Sequence, residues 1–199
     1  MSKDKTFDTK FRRRQEGRTD YTKRLALVRS KKVRIVVRKT NSQIIAQAVK
    51  FDPVGDQTIA TATSKELTKY NFYGTNNTPS AYLTGYLLGK KLTGKVKEAM
   101  SDIGRRSPSH GSVVFACLQG IVDAGIDLPL SKEAVPSKDR ISGKTLDNYA
   151  KENTDKFSKY TKAGITPGEI EKAFEKAKAE IEKVKAWIEE KEKKELLKK

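Results

Sequence analysis

The sequence contains only one cysteine, Cys117, and one histidine, His110, among 199 residues. A disulfide within the chain is therefore impossible, and a zinc site built from several Cys and His ligands is excluded. The longest purely apolar run, residues 113–118, is far too short to cross a membrane. Because the opening residues MSKDKTFDTKFRRR include no apolar segment of the secretory type, we expect a cytoplasmic protein with no membrane partner.

Acidic residues are also scarce, since 25 Asp and Glu stand against 42 Lys and Arg, for a formal net charge of +17. The excess is uneven. Residues 1–50 hold 16 basic and 4 acidic side chains, whereas residues 111–155 hold 5 and 7. A halo of lysines kept for solubility would have no reason to be so uneven. The distribution predicts a polyanionic partner, bound mainly by the first quarter through counterion release at phosphates.

The first thirty residues combine aromatic and basic side chains. Arginine offers a forked set of donors to phosphate, and an aromatic ring can stack on a base or anchor the segment to the rest of the protein. The charge density predicts that this arm does not fold alone and becomes ordered on its partner, although a disordered cationic tail is the alternative. The residues concerned are Phe11, Arg12, Arg13, Arg14, Arg18, Tyr21, Lys23, Arg24 and Arg29.

Residues 33–38 alternate between apolar and other side chains, which predicts a half-buried strand with Arg34 and Arg38 on its outer face. Turn-forming residues 39–42 follow, and then two more strands are predicted over residues 43–50 and 58–63. Three antiparallel strands with a polar face would suit RNA docking, but an ordinary solvated sheet face explains the pattern at least as well.

Several helices are predicted downstream of the strands. Thr63 and Glu66 form a capping box before a short helix, and Thr78-Pro79 begins a longer one that extends as far as residue 103. Gly85 and Gly89 lie on one face of the longer helix, which predicts close packing against the sheet. The apolar residues 113–118 predict a buried central strand, followed by a short helix over 119–124 and helical turns over 141–149.

The C-terminal part predicts one long helix. A capping box over residues 166–169, with Pro167 at the first helical position, begins it. A narrow apolar stripe predicts docking on the same chain or on a neighbour rather than a self-sufficient coiled coil. The stripe consists of Ile170, Phe174, Ala177, Ile181, Val184 and Ile188.

The predicted fold is α/β, of the α+β kind. It has a small, twisted, mainly antiparallel sheet packed on helices, with a basic N-terminal arm and a C-terminal helical extension. The expected divisions are an RNA-binding arm over residues 1–30, a body over 31–155 and the extension over 156–199.

No motif predicts catalysis, a cofactor or a metal site. Gly89 to Lys95 approaches the phosphate-binding loop of nucleotide-binding enzymes, but Val96 stands where that motif needs Ser or Thr. Cys117 lies in an apolar run and is predicted to be a small buried side chain. His110 lies in a polar loop and is at most a weak candidate for a general base.

Seven short motifs, in the same order along the chain, resemble a known family. They begin with the run from Phe11 to Tyr21 followed by Lys23-Arg24-Leu25, and continue with Val36 to Asn41. Later matches are Asn77 to Leu83, Asp102-Ile103-Gly104, Val114-Phe115-Ala116, Asp123-Ala124-Gly125 and Arg140 to Gly143. On these residues the chain resembles the universal 5S-rRNA-binding protein of the large ribosomal subunit in its archaeal and eukaryotic form. This is the eighteenth large-subunit protein in bacterial counting and the fifth in eukaryotic counting.

The segment from Lys156 to Tyr160 and the helix after Pro167 are similar to the extension of that form. Two departures are visible: Leu130 stands where members often carry His, and Arg105-Arg106 is more basic than usual. The resemblance implies binding to 5S rRNA, an arm that also reaches large-subunit rRNA, and assembly of the central protuberance beside another 5S-binding protein. It implies a ribosomal protein that is not an enzyme and not a homo-oligomer.

The sequence leaves two other classes open. One is a non-ribosomal RNA- or DNA-binding protein or a ribosome assembly factor, and the other is a phosphate-handling enzyme that uses Lys95. Beyond the arm residues, the predicted RNA contacts are Lys31, Lys32, Arg34, Arg38, Lys39, Thr40, Asn41, Arg105 and Arg106.

Overall fold

The computed structural model describes residues 8–196, with side chains up to residue 183. Its sheet has four strands in the order β3-β2-β1-β4. β1, β2 and β3 form the predicted antiparallel meander, and each begins and ends within one residue of the prediction. The strands are β1 (Val33–Lys39), β2 (Ile44–Lys50), β3 (Gln57–Thr63) and β4 (Ala99–Asp102).

The fourth strand, β4, was not predicted. It pairs in parallel with β1, so that the sheet is mixed. The helix expected to reach residue 103 ends at Leu92, because Thr93 leaves the helical conformation and Gly94 has a φ of +83°. β4 has only four residues and no alternation of apolar and polar side chains, and a strand this short leaves no periodic signal in the sequence.

Two buried helices, α3 (Thr78–Leu92) and α4 (Val113–Asp123), pack on each other and cover the inner face of the sheet. The N-cap of α3 is Asn77, one residue before the predicted position, and its side chain accepts from the Ser80 N–H at 3.0 Å. The prediction of a strand over residues 113–118 was wrong, because these residues form the first half of α4. A helix buried on nearly all sides has no polar face, and its apolar run then looks like a central strand.

The glycines of α3 were predicted to pack against the sheet, but they pack against α4 instead. A Cβ atom at Gly85 would overlap the carbonyl oxygen of Cys117. In the other direction, a Cβ at Gly120 of α4 would overlap the carbonyl oxygen of Tyr82. The two helix backbones therefore approach as closely as glycine allows.

Within residues 8–196, three short 3₁₀ helices connect the larger elements. The predicted capping box of Thr63 and Glu66 is present, with the Glu66 carboxylate accepting from the Thr63 N–H at 3.0 Å. It begins a 3₁₀ helix, Ser64–Tyr70, and the other two are Lys132–Ala134 and Thr154–Phe157.

The C-terminal half contains α5 (Lys138–Ser142), α6 (Lys144–Glu152), α7 (Ser158–Lys162) and the long α8 (Ile170–Leu196). α8 docks on α3 of the same chain through the predicted stripe, of which Ile170, Phe174, Ala177 and Ile181 are buried. The stripe residues Val184 and Ile188 lie outside the described side chains.

The start of α8 differs from the prediction. The helix begins at Ile170, after the expected capping box over residues 166–169. The buried carboxylate of Asp147, on α6, accepts from the backbone N–H groups of Ile170 at 2.8 Å and Glu171 at 2.9 Å. A cap contributed by another helix cannot be found from residues near the helix start, because the local sequence does not contain it.

Residues 8–30 contain two helices, α1 (Arg12–Gln15) and α2 (Tyr21–Arg29), although the arm was expected not to fold alone. The Asp20 side chain caps α2 by accepting from the N–H groups of Thr22 and Lys23 at 3.1 and 3.2 Å. Phe11 and Tyr21 contact each other, with ring centroids 5.1 Å apart. Nowhere in the described residues is there a helix long and apolar enough to span a bilayer.

Candidate nucleic-acid interface

The arm and the body together enclose an open cleft of about 670 Å³. One wall is α2 with the residues before it, and the other is the segment from Ser101 to Pro108 that continues from β4. Seven cationic side chains line the cleft, and the only carboxylates among the lining residues are Asp20 and Asp102. The cations are Arg13, Arg18, Lys23, Arg24, Arg38, Arg105 and Arg106.

Neither of these two carboxylates neutralises the positive charge of the cleft. Asp20 is occupied in capping α2. Asp102 accepts from Arg38 at 2.9 Å and from Arg34 at 3.2 Å, so that two guanidinium groups share one carboxylate. A concave surface with an excess of fixed positive charge concentrates field lines and attracts phosphates.

Arg34 does not belong to this surface, and the prediction that it faces outward toward RNA was wrong. Its side chain is 3% exposed. The guanidinium donates to Asp56 Oδ2 at 2.6 Å and to Asp102 Oδ2 at 3.2 Å, while its Nε has no hydrogen-bond partner among the described residues. Because a buried cation requires carboxylate partners, this network is part of the body's interior structure.

Asp56 connects the arm to the body. Its Oδ2 accepts from Arg24 of α2 at 2.8 Å, in addition to Arg34 of β1. Partial burial alone would raise the pKa of Asp56, but the hydrogen bonds and charges of Arg34 and Arg24 outweigh burial and hold this pKa below its ordinary value. Arg24 thus orients α2 beside the sheet as well as lining the cleft.

A second contact holds the arm at the cleft. The guanidinium of Arg105 lies directly against Gly17, where a Cβ atom would come within 2.6 Å of its Nη1. Gly17 has a φ of +67°, so the backbone also favours glycine there. Arg24 of the arm and Arg105 of the body therefore both hold the arm against the body.

The two aromatic residues of the arm differ in exposure. Tyr21 is half-buried and lines the cleft, whereas Phe11 is 70% exposed and rests on the Tyr21 ring. An exposed aromatic ring beside arginines can stack on an unpaired base without losing the contact behind it.

The hairpin turn between β1 and β2 lies next to the cleft. The carbonyl oxygen of Lys39 accepts from Arg106 Nη2 at 3.1 Å. Asn76 donates to the carbonyl oxygens of Thr40 and Asn41 at 3.2 and 2.6 Å. The side chains of Thr40 and Asn41 are exposed.

The remaining predicted contacts are exposed but lie outside the cleft. Arg12 forms a surface ion pair with Glu16 at 2.8 Å, and Lys32 forms one with Glu98 at 2.6 Å. Exposed pairs of this kind are weak and exchange readily for phosphate. Arg14, Arg29 and Lys31 are likewise exposed.

Two residues that form the interface were not found from sequence. Asp56 and Asp102 are ordinary acidic residues in a turn and at a strand end, and their role follows only from the packing of Arg34 between them.

An α+β body with a helical basic arm and a cationic cleft defines a protein of the nucleic-acid-binding class.

Comparison with known proteins narrows this class. Residues 5–101 match the family described as ribosomal large subunit proteins 60S L5 and 50S L18. The large ribosomal subunit protein uL18 of Korarchaeum cryptofilum is 46% identical over 88% of this chain and 94% of its own length. The protein of the same name from Methanobrevibacter smithii is 42% identical over 92% of this chain and 98% of its own.

The chain belongs to this L5/L18 family of large-ribosomal-subunit proteins, in its archaeal type. It is thus an RNA-binding structural protein of the cytoplasmic ribosome, and its relatives are ribosomal proteins rather than enzymes.

Proposed function

We propose that this protein binds 5S rRNA in the cleft between arm and body, and helps to attach it to large-subunit rRNA in the central protuberance. Its neighbours there would be large-subunit rRNA and other ribosomal proteins, including a second 5S-binding protein. The observation that carries the proposal is the convergence of seven cations from three separate segments, the arm, β1 and the segment after β4, on one cleft.

The chemistry of the cleft suits structured RNA. Arginines supply bidentate donors to phosphate, and Phe11 and Tyr21 supply an aromatic surface for an unpaired base. The Thr40 and Asn41 side chains next to the cleft can reach sugar hydroxyls or base edges. Recognition would therefore rest on backbone shape and on exposed bases together.

The test is filter binding of the full chain to 5S rRNA, comparing wild type with the double variant Arg13→Gln/Arg18→Gln. Both residues line the cleft and are exposed, so the substitutions remove charge without disturbing the core. We expect the double variant to bind at least tenfold more weakly, because two charge-assisted phosphate contacts of about 1.5 kcal/mol each are lost.

The matched control is Lys159→Gln/Lys162→Gln, which removes the same charge from exposed residues of α7, and it should bind almost as tightly as wild type. Equal weakening by both double variants would show that only net charge matters and would contradict a defined site. Duplex DNA as competitor at the same salt separates this proposal from a generic DNA- or RNA-binding protein, because equal competition would favour the generic class.

A further inference from the structure

A second basic pocket lies on the other side of the segment after β4. It has a volume of about 240 Å³ and is formed by Lys39, Arg106 and Arg140 together with Ser109, Ser112 and apolar side chains. No Asp or Glu is among its lining residues. Three cations without a carboxylate thus line a space that is large enough to hold a phosphate group.

Two of the three cations of this pocket make no polar contact in the described part of the chain. The Arg140 and Lys39 side chains have no hydrogen bond or ion pair among the described residues. The nearest acidic neighbour along the sequence, Asp139, lies 3.9 Å from Lys144 instead. Unpaired cations placed together repel each other, which costs stability unless an anion binds between them.

The pocket adjoins the arm cleft. Arg106 and Ile103 line both spaces, and Arg106 is held between them by its hydrogen bond to the Lys39 carbonyl oxygen. The Ser112 hydroxyl makes no capping bond to α4 and can donate to a phosphate oxygen. A polyanion in the cleft can therefore extend into the pocket without crossing an acidic barrier.

We infer that this pocket binds a backbone phosphate of the same RNA that occupies the arm cleft. Arg140 is the contact that the sequence did not predict, and Lys39 and Arg106 complete the charge around the phosphate. The inference rests on the proposed function. It extends the proposed RNA site from the arm cleft to the neighbouring pocket at the start of α4.

The test is the salt dependence of 5S rRNA binding by the full chain carrying Arg140→Ala. We expect about tenfold weaker binding, and a plot of log affinity against log salt that is less steep by about one, as for the loss of one phosphate contact. Arg140→Lys keeps the charge and should retain the wild-type slope. Lys162→Ala on α7 is the control and should change neither quantity.

An unchanged affinity and slope in Arg140→Ala would overturn the inference and would fit a pocket that receives an acidic protein segment instead. In that case the proposed function is still tested separately, by whether Arg13→Gln/Arg18→Gln weakens binding to 5S rRNA. If wild type does not bind 5S rRNA, both the inference and the proposed function fail. Unfolding curves of each variant distinguish loss of binding from loss of fold.

Discussion

At the scale of single residues, Arg34 shows how a buried charge organises a basic protein. Its guanidinium is nearly inaccessible, and the carboxylates of Asp56 and Asp102 reach it from a turn and from a neighbouring strand. Asp56 and Asp102 in turn hold Arg24 and Arg38, which line the cleft. Two acidic residues therefore position two of the cations that line the cleft.

Asp56→Asn tests this arrangement. The variant replaces one of the two carboxylates that pair with the buried Arg34 by a neutral amide. We expect the free energy of unfolding to fall by about 2 kcal/mol, less than for a fully buried pair, because Asp56 is partly exposed and Asp102 remains. Urea denaturation measures the change. Asp139→Asn, which affects only an exposed pair, is the control and should change stability by less than about 0.5 kcal/mol. Equal stability of the two variants would contradict the role of Asp56.

Low pH should remove the stabilisation that the Asp56 carboxylate gives to the folded protein. The pKa of Asp56 is lowered from 3.8 in the folded protein, so its contribution is complete at neutral pH and is lost as pH falls below about 4 toward the folded value. We expect the stability difference between wild type and Asp56→Asn to shrink over that range, since a protonated Asp resembles Asn. Unfolding curves at several pH values measure this difference, and a constant difference down to pH 3 would refute it.

At the scale of secondary-structure elements, the α3–α4 contact is set by glycine. Gly85 and Gly120 let the two backbones touch, and the buried Cys117 lies at the contact. Burial raises the pKa of the Cys117 thiol to about 12, which makes it an unreactive packing group.

Gly85→Ala should be strongly destabilising. Alanine favours the helix by about 1 kcal/mol over glycine, but the added methyl group would overlap the Cys117 carbonyl oxygen, and the clash should outweigh this gain. We expect a net loss of about 2–3 kcal/mol in thermal or urea unfolding. Gly55→Ala is the matched control, because a Cβ there meets no atom within 4 Å. A stabilised Gly85→Ala would show that the helices can separate at little cost.

The docking of α8 depends on a cap from α6. Asp147→Ala removes both acceptors from the first N–H groups of α8, and we expect a loss of about 1–2 kcal/mol. Hydrogen exchange should become faster at residues 170–174, where the helix begins. Asp155→Ala, an exposed acidic residue before α7, serves as the control. Unchanged exchange in Asp147→Ala would mean that the apolar stripe alone holds the helix.

At the scale of the whole molecule, most of the cleft cations lie on segments other than those that form the apolar core. The apolar core extends from the sheet through α3 and α4 to Phe157, Tyr160 and the buried face of α8. The arm and the segment after β4 contribute none of the described buried core residues, and they hold six of the seven cations that line the cleft. The body can therefore keep its shape whatever anions the basic surface binds.

This separation predicts a steep dependence of RNA binding on salt. With seven cations around the cleft, about six phosphate contacts would make the affinity for 5S rRNA fall roughly a thousandfold over a fourfold rise in salt. The stability of the free protein should change far less over the same range than its affinity for RNA, because its core is apolar and salt only screens the repulsion between surface cations. Filter binding and thermal scans measure the two effects, and a weak dependence of binding on salt would contradict phosphate recognition by the cleft.

Local patterns in the sequence were sufficient for several parts of this protein. The period-two alternation predicted β1 to β3, the apolar stripe predicted the docked face of α8, and the distribution of Lys and Arg predicted the basic arm. Each of these signals depends on neighbouring residues and on one exposed and one buried side. The seven motifs predicted the family, which the comparisons confirm.

The tertiary structure alone decided the features that depend on distant residues. Residues 113–118 are helical because α3 and the sheet bury them on nearly every side, which removes the periodicity that distinguishes a helix from a strand. Arg34 is interior because Asp56 and Asp102 meet it there, and the basic arm forms a cleft because β4 brings Arg105 and Arg106 beside it. A sequence specifies which side chains are charged, but only the packing of distant segments determines which charges meet each other and which remain free for RNA.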